Sequence, residues 1–246
     1  MEQIVYYVLT AFAVIITLTV HEYCHAFAAY RLGDPTARNL GRLTLNPIKH
    51  IDPIGAICML LFRIGWARPV PVNSRYLQKP RRDLAIISFA GPLSNLIMAI
   101  VSAFIFRLIY ALLRDVTFPN DLLLSIAQNT LNFFSIFHSV NVGIAIFNLI
   151  PIPPLDGSRI LGIILPSRIY YRIMQYERII YFALLAWLFL GDFVSDYLLT
   201  LPMIANNPLL AISASLLSLS NILNYAITAV SNLIYMLVDL IPFLRL

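Results

Sequence analysis

A chain of 246 residues in which 60% are hydrophobic and 12% charged, with a mean hydropathy of +0.81, is too apolar for a soluble domain, where about a quarter of residues carry charge. The net charge of +5 is spread in blocks between apolar stretches and not in a basic stripe interleaved with aromatics, which argues against a nucleic-acid partner. Two cysteines, Cys24 and Cys58, provide no disulfide framework. The composition predicts an all-α, multi-pass membrane protein with the lipid bilayer as its solvent.

The first predicted span covers residues 4–29 and has no charge before Glu22. It is too long for a cleaved signal peptide, lacks the basic start of one, and carries the motif His21-Glu22-Tyr23-Cys24-His25. On a helix, residues four apart share a face, so His21 and His25 can offer two imidazole nitrogens to one metal ion. Glu22 beside them can take a proton from a water that the metal acidifies. Ionisable groups at membrane depth are costly and mark functional sites.

A polar segment follows at 31–82, interrupted by Gly33, Pro35, Gly41, Pro47, Pro53, Gly55, Pro69, Pro71 and Pro80. Helix is not expected over most of it. The runs 42–45 and 69–72 are β-compatible and suggest a small strand or hairpin, and the apolar run 54–62 is too short to span, so a membrane-dipping or site-covering segment is expected there.

The second span, 84–113, holds Gly91-Pro92-Leu93-Ser94-Asn95, read as a kink and a close helix contact. The third, 122–150, ends in Asn148-Leu149-Ile150-Pro151-Ile152-Pro153-Pro154-Leu155-Asp156-Gly157. Its prolines must stop the helix and leave Asp156 on an extended turn at the membrane edge. An amphipathic basic stretch at 167–178 leads to a fourth span at 179–199. The last apolar segment, 209–243, carries a polar stripe of Ser220, Asn224, Thr228 and Ser231, compatible with a fifth span or an interfacial helix. The division expected is a core over 1–165 with membrane helices over 166–246 in the same domain.

Ten Lys or Arg residues in 31–82 and four in 159–178, against two in 107–121, put the first and third loops in the cytoplasm and the amino terminus outside. His21, His25 and Asp156 then lie at similar depth near the cytoplasmic side. A catalytic zinc takes three protein ligands, and Asp156 is the best third ligand on offer, its structural alternative being a turn residue before Gly157. Asp34 and Asp52 are weaker candidates. His50 reads as a solvated loop histidine, and His138, three residues before Asn141, as a partner in an interhelical hydrogen bond.

HEYCH, GPLSN and NLIPIPPLDG, in that order over about 1–160, resemble the site-2 protease family of intramembrane zinc metalloproteases. The segment NLGRLTLNPIKHIDPIG resembles a loop of its small members. The resemblance implies one zinc ion on His21, His25 and Asp156, Glu22 as the base, and a transmembrane protein as substrate. It assigns Asn148 either to substrate backbone or oxyanion or to a helix contact. Asn95 is a weaker candidate for the same substrate or oxyanion part, with a structural part favoured. There is no room for the PDZ insert or CBS domain carried elsewhere in the family. A membrane metal transporter and an inactive scaffold are the alternatives, and a homo-oligomer is left open.

Overall fold

The computed structural model describes residues 2–52, 55 and 67–244. Five helices in it are long and apolar enough to cross a membrane. The first, α1 (Glu2–Arg31), has neither proline nor glycine, so nothing breaks its backbone ladder. It stops where Gly33 takes a φ of +103°, the left-handed cap for which glycine is suited. Asp34, a weaker ligand candidate in the polar segment, is wholly buried just beyond: its carboxylate accepts from the Thr36 N–H at 2.9 Å and from the Asn73 N–H at 2.7 Å, which ties the two ends of the polar segment together.

α2 (Pro80–Leu113) opens with proline in its first turn, where a missing N–H costs nothing, and Asp83 folds back to accept the Lys79 N–H at 2.8 Å. It packs against α1, against α3 (Asp121–Leu149) and against α4 (Asp156–Ile164). The α2–α3 seam is lined by Ala99, Ala103 and Val142, small side chains that let membrane helices approach closely. α5 (Ser167–Gln175), α6 (Glu177–Leu199), α7 (Pro208–Ser215) and α8 (Leu219–Val238) follow. Large apolar residues such as Phe12, 59% exposed, and Leu122, 69% exposed, face outward, as they do when lipid replaces water around a bundle.

Three expectations need correction. Among the described residues there is no strand, and 42–45 and 69–72 are irregular; one isolated antiparallel bridge, Ile51 with Ala67, is all that pairs. Pro69 and Pro71 have no N–H to give, and the donor between them, Val70 N–H, goes to a side chain. Except for Gly55, the run 54–62 expected to dip into the membrane lies outside the described residues. Asp156 does not sit on an extended turn but is the first residue of α4, after Leu155 as the cap. The apolar segment 209–243 is not one helix: it breaks after α7, and α8 starts at Leu219, where Leu219 packs on Leu155 and Leu184.

Candidate metal centre

α1 presents His21 and His25 one turn apart, their rings at 88° to each other with centroids 4.5 Å apart. Both are buried. The face of α2 that meets them repeats every four residues, Ile87, Gly91 and Asn95, and each position has a separate task. The Ile87 carbonyl accepts from His25 Nδ1–H at 2.7 Å. That bond keeps the proton on Nδ1 and leaves the Nε2 lone pair free for a metal. Gly91 supplies clearance: a Cβ there would lie 2.5 Å from His25 Nε2 and 2.6 Å from His21 Cε1. Asn95 is wholly buried, and its amide lies 3.2 Å from His21 Nδ1.

The third group arrives with α4. Asp156 Oδ2 lies 3.2 Å from Nε2 of His21 and 3.2 Å from Nε2 of His25, while the two Nε2 atoms are 3.0 Å apart. Burial raises the Asp156 carboxyl's pKa, but the two imidazoles beside its Oδ2 outweigh that and hold it down at about 2. It is therefore an anion throughout the physiological range. α4 can start this close to the end of α3 because Gly157 has no side chain; a Cβ there would lie 2.3 Å from the Leu149 carbonyl oxygen.

The donor set fits zinc. Two imidazoles and one carboxylate are common catalytic zinc ligands, and bonds of about 2.0–2.1 Å in a tetrahedron put ligand atoms about 3.3 Å apart. The observed separations of 3.0–3.2 Å are close to that edge. Asp156 Oδ2 is shut away from solvent without a geometrically acceptable hydrogen bond, so a buried acceptor is left facing two ring nitrogens. A cation at their centre would satisfy all three atoms, which lie within 4.8 Å of one another.

Glu22 is buried on the adjoining face of α1, and its Oε2 accepts from the Val70 N–H at 2.9 Å. The 67–70 segment is fastened in turn by Arg42, whose Nη2 donates to the Arg68 carbonyl at 2.5 Å. Val70 and Arg42 lie in runs noted in the sequence only as β-compatible, Arg42 also within NLGRLTLNPIKHIDPIG, and no part in the site was read for either. Asn148 donates its amide N–H to the Ile144 carbonyl one turn back at 3.0 Å. His50 is not solvated as expected but 1% exposed, donating from Nε2 to the Thr44 carbonyl at 2.8 Å. His138 Nδ1–H reaches across to the Ala99 carbonyl at 3.0 Å, an interhelical bond. Asp52 accepts from the Gly55 N–H at 2.9 Å.

The family model described as Peptidase family M50 matches residues 9–191. The chain is 41% identical over 182 residues to the "Putative zinc metalloprotease YwhC" of Bacillus subtilis, an alignment covering 72% of this chain and 80% of that protein. It is 31% identical over 148 residues to the "Putative zinc metalloprotease Rip2" of Mycolicibacterium smegmatis, with 58% of this chain and 52% of that protein aligned. The protein of the same name in Mycobacterium tuberculosis is 30% identical over 149 residues, with the same shares covered. No solved structure matches. The region that the family model matches contains most of α1, all of α2 to α5 and much of α6, and so both histidines and the aspartate that converge on one point. The chain belongs to peptidase family M50 and is a zinc metalloprotease.

Proposed function

We propose that the chain is an intramembrane endopeptidase that hydrolyses peptide bonds in or near the transmembrane segments of other membrane proteins. It works with one zinc ion held by His21, His25 and Asp156, at a site towards the cytoplasmic face. The observation that carries this reading is the convergence of those three ligand atoms within 4.8 Å, two of them on the membrane span α1 and the third on α4, just past the end of the span α3. When bound, zinc supplies Lewis-acid chemistry, acidifying water and polarising the scissile carbonyl.

The chain's residues do the rest. Glu22 takes a proton from the attacking water and passes it to the leaving amine. Its Oε2 is tied to the Val70 N–H, so the carboxylate is held in one orientation and the proton moves through Oε1. The Ile87 carbonyl fixes the His25 ring. A substrate helix hides its carbonyls in its own hydrogen bonds, so cleavage needs local unwinding, and helix-breaking residues near the scissile bond favour it. Asn148, at the end of α3, is the side chain assigned to substrate backbone or the developing oxyanion. The partners are a transmembrane protein and the bilayer, and no nucleic acid.

Glu22→Gln tests the reading. Purified variant should keep its zinc while cleavage falls about 10²–10⁴-fold, because the residue is a base and not a ligand. In comparative membrane proteomics of cells carrying wild type or the variant, an uncleaved precursor should accumulate with the variant. Loss of zinc together with activity would make Glu22 a ligand, and full activity would remove the mechanism.

A further inference from the structure

Ligation by histidine is a choice between two ring nitrogens, made by whatever holds the proton on the other one. For His25 the choice is made by backbone, through the Ile87 carbonyl on Nδ1–H. For His21 the group at Nδ1 is the Asn95 amide, with Nδ2 at 3.2 Å. Asn95 is wholly buried and lies outside the ligand set. Its amide touches the Nδ1 side of the ring, and the Nε2 side faces Asp156, so Asn95 stands behind the ligand and not where a substrate or oxyanion would be.

With Nδ2 towards the ring, Nδ2–H would donate to an unprotonated Nδ1 and put the ring's proton on Nε2, towards Asp156 Oδ2 at 3.2 Å. That tautomer cannot ligate through Nε2. A half-turn of the amide exchanges Oδ1 and Nδ2, two ends of nearly equal size. Oδ1 then accepts from Nδ1–H, and Nε2 presents its lone pair to the metal. The other end of the amide is provided for as well. Ser94 Oγ lies 3.5 Å from Asn95 Oδ1 and donates its own proton to the Gly91 carbonyl at 2.7 Å. A lone pair on that oxygen can then accept from Nδ2–H.

We infer that Asn95 is the positioning residue for His21, an amide whose Oδ1, turned to the ring, holds the proton on Nδ1 and so sets the tautomer of this ligand. The inference rests on the zinc-protease reading and deepens it. The experiment uses full-length protein in detergent: wild type, Asn95→Leu and Asn95→Asp. Zinc affinity is measured by competition with a chelator, and the cobalt-substituted absorption spectrum is recorded. Leucine has a similar volume and no acceptor, and zinc affinity should fall about 10–100-fold. Aspartate accepts from Nδ1–H with a charge-assisted bond, so it should hold zinc at least as tightly as wild type and shift the cobalt absorption.

Wild-type zinc affinity in Asn95→Leu overturns the inference. If the leucine variant does not yield folded protein, Asn95→Asp decides: zinc binding weakened tenfold or more, or an unshifted cobalt spectrum, overturns it. Wild-type protein that takes up no zinc at all would instead overturn the underlying reading, so the two failures are distinguishable.

Discussion

At Gly91 the centre admits nothing larger than a hydrogen atom, because the α2 backbone passes directly over both imidazoles. Gly91→Ala should displace the rings or the helix at a cost of about 1–3 kcal/mol and leave the protein with depleted zinc. Metal content per chain on detergent-purified protein checks this, and full zinc in the alanine variant would show that the seam has more slack than 2.5 Å suggests. Residues of this kind mark the limit of reading a site from sequence. His21, His25 and Asp156 could be named in advance because their chemistry is specific to their side chains. The Ile87 carbonyl and the Val70 N–H could not, because any residue offers the same backbone groups and only the fold brings them within 2.7 Å and 2.9 Å. His50 misled for a related reason: a histidine among loop residues looks solvated until the loop packs over it.

The first four long helices were legible because an apolar stretch of ~20 residues has few other solutions in lipid, and their ends lie within a few residues of the expected spans. The break between α7 and α8 was not, since 209–243 has no strong helix stop. What holds it is tertiary: Asp192 on α6 accepts from the hydroxyls of Ser218 and Ser220, and Trp187 Nε1–H donates to the Leu217 carbonyl at 2.9 Å. At its other end α8 is anchored by Asp239, whose Oδ2 lies 2.9 Å from Nη2 of Arg107 on α2, while the Arg107 guanidinium stands 4.9 Å from the Tyr235 ring centroid. Arg107→Leu removes both contacts. Because the Asp239 side chain is 31% exposed, the cost should be about 2 kcal/mol, below that of breaking a fully buried pair. We expect faster limited proteolysis across 219–238 with zinc content unchanged. Equal proteolysis of variant and wild type would show that the pair does not hold α8 in place.

On the scale of the whole molecule, the distribution of positive charge sets the orientation. Reporters fused within 31–82 should register as cytoplasmic and those near Asp121 as external. The opposite pattern would place the metal centre near the outer face and change the class of substrate segment it meets.

The seam between α1 and α2 has one more consequence, in the order of synthesis. α1 enters the membrane first with His21, Glu22 and His25 already in place, but the carbonyl and the amide that steady the two rings are 62 and 74 positions further along. Asp156 follows later still, on α4. A chain made from its amino terminus therefore carries Glu22 and both histidines into the membrane before the groups that complete the proposed centre have been made. The hydrolytic centre comes into being only when the third long helix has docked and turned back at Gly157. On the proposed roles of these residues, latency during biogenesis is a product of topology.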